Sequence, residues 1–207
     1  MLRDEIMQDS IKSEHIEKIE TTVCNLYPEL KPGEKINYRN REWIIFNHIF
    51  PAIRIAKSLC NKYGGDFSLC KTALLLHDTG LVYTDKDSAE GHEARSILFA
   101  EKILKELNIS KNNSEKIIAC INATHPESVP TNINEKIVRS ADALSQFNTV
   151  HFFAKAHFYN ELDYYFNWLN NKITKNYEKI CFEEEKQELI PIINHYKKII
   201  NEYYQKS

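Results

Sequence analysis

Six side chains of this sequence could do chemistry together, and they fall in a fixed order: His48, the adjacent pair His77 and Asp78, then His92, His125 and Asp142. Neutral imidazoles and carboxylates are the ligands that hold Zn, Fe, Mn, Co or Ni. Four histidines and two carboxylates exceed what one ion needs while leaving room for water. The series therefore points to a divalent transition-metal centre of one or two ions, two being the economical reading, with Mg also among the candidates. Asp142 sits in the apolar run "IVRSADALSQF", where an unpaired carboxylate is costly; that tilts it toward a ligand or a salt bridge. His15, His151, His157 and His195 fall outside the series and receive no chemistry.

The elements that must position these residues are helices. Five Gly and six Pro in 207 residues leave little punctuation, and apolar residues recur with a period near 3.6 almost throughout. The pattern predicts an N-terminal amphipathic helix over about 2–27, followed by a loop at "YPELKPGEK". A second helix spans about Asn47–Tyr63, with Pro51 near its first turn and Gly64-Gly65 closing it. Asp66 is a candidate N-cap for the helix that ends at His77-Asp78. After the loop "TGLVYTDKDSAEG", a helix starts from Ser88 or Gly91. A shorter one follows, capped by Asn113 or Ser114, and "INEKIVRSADALSQF" is the next. Every candidate ligand except Asp142 lies at a helix end. Ligands projecting inward from facing helices suit a metal site in a bundle.

Composition narrows the class. The net charge is −2 and Lys and Arg are scattered among Glu and Asp, so no basic stripe for a nucleic acid duplex is present. No apolar run approaches the roughly 20 residues that span a bilayer, and "MLRDEIMQDS" is not a secretory signal. The five cysteines include no CxxC pair and read as small buried hydrophobes of a reducing compartment. The expectation is a cytoplasmic protein with no membrane partner. "KITK" and "KKII" read as solvated helix faces. The aromatic C-terminal helices read as core or as a homo-oligomer surface rather than a base-stacking pocket.

The segments "HIFPAIRIAKSLCNKYGGD", "TALLLHDTG", "EGHEARSILFAEKIL", "ATHPE" and "EKIVRSADAL" together strongly resemble the HD-domain superfamily of metal-dependent phosphohydrolases. The resemblance covers about residues 45–147. It implies an all-α HD-domain helical bundle: one domain over 1–207 with its core at about 40–150, and extra helices at 1–30 and 151–207 packed on it. It also implies that His48, His77, Asp78 and Asp142 bind one metal and that His92 and His125 match the ligands of a second. Two departures stand out. The chain has no Gly-Tyr-Pro segment like that of the cyclic-di-GMP phosphodiesterases. It also lacks the Glu-Pro continuation seen after the closing Asp in dinucleotide polyphosphate hydrolases.

The resulting expectation is hydrolysis of a phosphate ester by a metal-bound hydroxide that Asp78 orients. The substrate would be a nucleotide or another small phosphorylated metabolite. His92 or His125, where not a ligand, would protonate the leaving oxygen. Lys86 and Arg95, the nearest cations in sequence, are candidate substrate-binding residues. Two rivals share the ligand order or the fold: a di-iron oxygenase of HD type, and a non-catalytic helical protein that binds a nucleotide or partner.

Overall fold

The computed structural model describes residues 10–34, 40–83 and 91–205. Among them lie nine α-helices and no strand, so the all-α expectation is met. Helix α1 covers Ser13–Leu26 and buries Ile16, Ile19 and Val23, a stripe at helical spacing. It is shorter than the expected span, of which residues 1–9 lie outside those described.

Residues Glu42–Ile49 form a π-helical segment that runs directly into α2, Phe50–Tyr63. The Phe50 N–H donates to the carbonyl of Ile45, five residues back. Pro51 follows immediately and has no N–H to give; the wider turn sits where an α-helical ladder would be interrupted. The helical path thus begins earlier than the predicted Asn47. It ends as expected, at Gly64, whose φ of +84° is a left-handed conformation open to glycine and whose N–H returns to the Cys60 carbonyl.

Helix α3, Phe67–Leu76, is capped by Asp66, whose carboxylate accepts from the Leu69 N–H at 3.1 Å. Its residues Leu69, Cys70, Ala73, Leu74, Leu75 and Leu76 are all buried. A helix apolar all round belongs at the centre, and α3 packs against α1 and α2 as well as two later helices. These are α5, Lys111–Ala123, and α6, Ile133–Phe147. The cap of α5 is Ser110, one turn before the expected Asn113 or Ser114; the Ser110 hydroxyl accepts from the Asn113 N–H. Helix α4, His92–Glu106, precedes them.

Helix α6 spans "INEKIVRSADALSQF" as the sequence predicts, and Asn132 caps it by accepting from the Glu135 N–H. Its middle and C-terminal half are buried from Ile137 through Phe147. It packs along α2, whose Ala52 and Ala56 are fully buried and small enough to let the helices close up. Each fully buried Leu or Ile of such a contact contributes roughly 1.5–3 kcal/mol. Helices α7, His151–Lys155, α8, Leu162–Lys179, and α9, Glu183–Gln205, complete the order. Helix α8 lies on α6, and α9 lies on α8.

Candidate metal centre

The floor of the site is made where three helical paths meet. His48 is the penultimate residue of the π-helical segment, His77 is the C-cap of α3, and Asp142 lies in the buried stretch of α6. His48 Nε2 stands 3.2 Å from His77 Nε2, 3.2 Å from Asp78 Oδ2 and 3.3 Å from Asp142 Oδ1. His77 Nε2 is 3.5 Å from the same Asp78 oxygen and 3.6 Å from the same Asp142 oxygen. All four residues are buried. The four residues that the resemblance assigns to one ion therefore converge.

Hydrogen bonds outside the cluster orient both rings. His77 Nδ1 lies 2.8 Å from the Leu74 carbonyl, which only accepts, so Nδ1 carries the proton and Nε2 turns a lone pair inward. His48 Nδ1 lies 2.8 Å from Ser145 Oγ, whose own proton goes to the Asp142 carbonyl. His48 Nδ1 is thus also a donor in the neutral ring. Two imidazole lone pairs and two carboxylate oxygens then face one point, an arrangement that only a cation satisfies. Without a metal that cation is a proton. Burial alone lowers the His48 pKa, but the hydrogen bonds that its ring donates to Asp142 and Asp78, and their charges, outweigh it and raise it to about 9. Burial raises the carboxyls of Asp78 and Asp142 too, but it is outweighed and both are held well below the usual range: Asp78 by His77, His48 and His92, and Asp142 by Lys179, His48 and His77. The donor set fits a divalent ion.

The HD pair is braced on its backbone. The carbonyl of Asp78 accepts from the buried Tyr27 hydroxyl at 2.8 Å and from the Leu81 N–H at 2.9 Å, inside a 3₁₀ turn over Thr79–Tyr83. That turn locks onto α4: the Gly80 N–H donates to Ser96 Oγ at 2.8 Å, and Arg95 Nε donates to the Gly80 carbonyl at 3.2 Å. A side chain at Gly80 would run into the backbone of His92 and Ser96. The close approach brings His92 Nε2 to 3.5 Å from Asp78 Oδ1, the oxygen turned away from His48, while His92 Nδ1 meets Glu93 Oε2 at 3.2 Å.

The remaining predicted residues fare differently. His125 follows α5 and does not line the cavity above the cluster; its Nδ1 accepts from the Glu127 N–H at 3.4 Å. The guanidinium of buried Arg139 clamps the turn around it, donating to the carbonyls of Ala123 and His125 at 2.6 Å and of Pro126 at 3.1 Å. Arg95 is engaged with Gly80 and does not line the cavity either. Lys86 lies outside the described residues.

That cavity, of about 290 Å³, opens over the cluster and is walled by the C-terminal helices. Trp43, His151 and Trp168 line it, with ring centroids 5.0 Å apart for Trp43 and His151 and 6.4 Å for His151 and Trp168. Lys155, Lys172 and Lys179 line it too. Lys179 Nζ reaches Asp142 Oδ2 at 3.3 Å. Sequence reasoning missed these residues. The solvated "KITK" face holds for Lys175, which is exposed, but Lys172 is half-buried in the cavity wall. A signal was present: Trp168, Lys172, Asn176 and Lys179 recur at helical spacing on one side of α8, and Asn176 is fully buried. Burial, and then the charge of Lys172, bring the pKa of Lys155 down to about 7.

No helix among the described residues is long and apolar enough to cross a membrane. No solved structure matches the chain significantly. Among curated proteins it is similar to Ribonuclease Y of Cutibacterium acnes, 32% identical over 101 residues, which are 49% of this chain and 17% of that protein. It is also similar to Ribonuclease Y of Finegoldia magna, 34% identical over 128 residues, or 61% of this chain and 23% of that one. The chain thus spans about a fifth of the length of these relatives. The HD domain family profile matches residues 45–146, from the π-helical segment through α6, and so takes in all four residues of the cluster. Through that segment the chain belongs to the HD-domain superfamily.

Proposed function

We propose that this chain is a metal-dependent phosphohydrolase that acts on a phosphate ester of a nucleotide or other small phosphorylated molecule. The observation that carries the reading is the convergence of His48, His77, Asp78 and Asp142, with both imidazole lone pairs turned inward, on the floor of one cavity. The name of the ribonuclease relatives adds the phosphodiester of an RNA end to the candidate substrates. A cavity of about 290 Å³ sits at the small end of ligand pockets and suits a single nucleotide-sized group.

His48, His77, Asp78 and Asp142 would hold one divalent ion. When bound, it supplies Lewis-acid polarisation of a phosphoryl oxygen and a water that is nucleophilic at neutral pH. Among the described residues, groups toward a second ion stop at Asp78 Oδ1 and His92, so the proposal is one tightly held ion per chain. The protein's own residues divide the remaining work. Asp78 presents Oδ2 to the cluster and Oδ1 to His92, which lets it orient the attacking water. His92, held between Asp78 and Glu93, is placed to give a proton to the leaving oxygen as the P–O bond breaks; such a group is worth about 10²–10⁴ in rate.

Elemental analysis of the purified protein, with a turnover screen of phosphomonoesters, nucleotides and RNA ends under Mn, Fe, Co, Ni, Zn and Mg, tests the reading. One ion per chain is expected, lost with activity in His77→Ala and Asp78→Ala while the helical signal stays. Full metal content in both variants, or no turnover across the panel under any metal, would overturn it.

A further inference from the structure

Among the described residues, one cation of the cavity wall, Lys172, has no ion-pair partner. Of its acidic lining residues, Asp78 and Asp142 face the cluster, Asp142 also holds Lys179 at 3.3 Å, and Glu93 is engaged by His92 at 3.2 Å. Lys172 lies on the same side of α8 as Lys179, two turns earlier, and makes no ion pair or hydrogen bond among the described residues. It is half-buried, and its charged neighbours are Lys179 and Lys175, which repel it, and the cluster carboxylates Asp142 and Asp78, which attract it and already face the metal centre. Lys155, buried on α7, has Lys172 as a neighbour in turn. Desolvating ammonium groups beside one another is costly, and an anion in the cavity removes the cost.

The wall around them favours that outcome. The Lys155 ammonium sits 5.0 Å from the Phe158 ring centre and 5.4 Å from that of Trp168, held by cation–π attraction. Trp43, His151 and Trp168 exclude water from the same side, and attraction between charges grows as the surrounding dielectric falls. Lys155, Lys172 and the two tryptophans lie outside the set of residues that converges on the metal centre.

We propose that Lys155 and Lys172 form a second anion subsite, which binds a non-scissile phosphate of the substrate, so that the chain acts on doubly phosphorylated small molecules. The position of the scissile phosphate rests on the hydrolase reading above. The two phosphates can be contiguous, as in a diphosphate, or lie across a ribose, as in a nucleoside 3′,5′-bisphosphate, and the test separates the two.

The chain has two tryptophans, and both line this cavity, so their emission reports its occupancy without turnover. The metal-loaded full chain is titrated with methylphosphonate against methylenediphosphonate, and with adenosine 5′-monophosphate against adenosine 3′,5′-bisphosphate. Metal content is measured before and after. At least one probe with two phosphoryl groups is expected to bind about tenfold tighter than its single-phosphoryl counterpart, the size of effect a charge-assisted hydrogen bond gives. The pair that gains identifies the phosphate spacing. The advantage should fall to about twofold or less in Lys172→Gln, a change at a half-buried wall position, and in Lys155→Met with Lys172→Gln. Equal binding of both members of each pair by the wild type, or an advantage that survives Lys172→Gln, overturns the subsite. Failure of the hydrolase reading looks different: no metal and no turnover, with the contrast between probes intact.

Discussion

Lys179, from the last turn of α8, places its ammonium 3.3 Å from Asp142 Oδ2, while the other oxygen of Asp142 faces His48 and His77. A helix outside the HD-domain match thus completes the electrostatics of the cluster. Groups that orient a metal ligand are typically worth 10–100-fold in metal affinity or activity. Lys179→Met is accordingly expected to cost about 10–100-fold in one or the other. Metal titration and steady-state kinetics on the variant check this; unchanged values for both would remove α8 from the centre.

The metal must compete with a proton. His48 titrates at about 9 in the metal-free protein because Asp142 and Asp78 outweigh its burial. At pH 7 an incoming ion therefore displaces that proton, and apparent affinity should climb by up to about tenfold per pH unit toward pH 9. The same raised pKa stabilises the metal-free fold fully below about 6.5. That contribution is lost as pH rises through about 9. Chelator competition at several pH values, with thermal melts of the stripped protein, reads both effects. An affinity that stays flat from pH 6.5 to 8.5 contradicts the account.

Gly80 is the contact through which the HD turn reaches α4. A methyl group there meets the His92 backbone and, at 2.8 Å, the Ser96 nitrogen. Gly80→Ala should cost about 1–3 kcal/mol in stability, as overpacking does, and should push His92 away from Asp78. The expected signature is metal retained with turnover reduced to the level of His92→Gln. A Gly80→Ala enzyme that melts and turns over like the wild type would show that the turn has slack.

Lys155 makes its own pH prediction. Its folded pKa is lowered to about 7 by burial and by Lys172, whereas the unfolded chain keeps the proton until about 10.4. Between those values the unfolded state binds more protons, so stability rises with pH across the window. Below about 7 both states are protonated and the fold carries the full burial cost. Lys155→Met should therefore gain most in melting temperature, relative to wild type, at pH 6, with the gain shrinking toward pH 10. An equal difference at both ends would mean that the ammonium is not desolvated.

The parts of this molecule legible in its sequence are those where local chemistry and periodicity agree. Asp66 caps α3 because its carboxylate precedes an apolar run by the right offset, and α6 keeps its predicted bounds because Asn132 and the Pro-containing loop before it leave no choice. The convergence of His48, His77, Asp78 and Asp142 was legible through the resemblance that their order carries. His125 shares the helix-end position of the others, yet Arg139, a residue with no local signal, ties its turn elsewhere. The π-helical entry to α2 escaped because its period differs from 3.6 over barely two turns. Lys155 and Lys172 escaped because a lysine on an amphipathic helix is ordinarily solvated; only the seating of α8 on α6 turns that side inward.

The Tyr27 hydroxyl, at the residue that caps the C-terminus of α1, grips the Asp78 carbonyl from a position that precedes the family segment altogether. Excising residues 45–146 as a portable module would sever that tether at one end and the α8 buttress at the other. The segment that carries the family match and the set of contacts that holds the cluster therefore have different edges, and transplanting this centre into another scaffold means carrying both flanks with it.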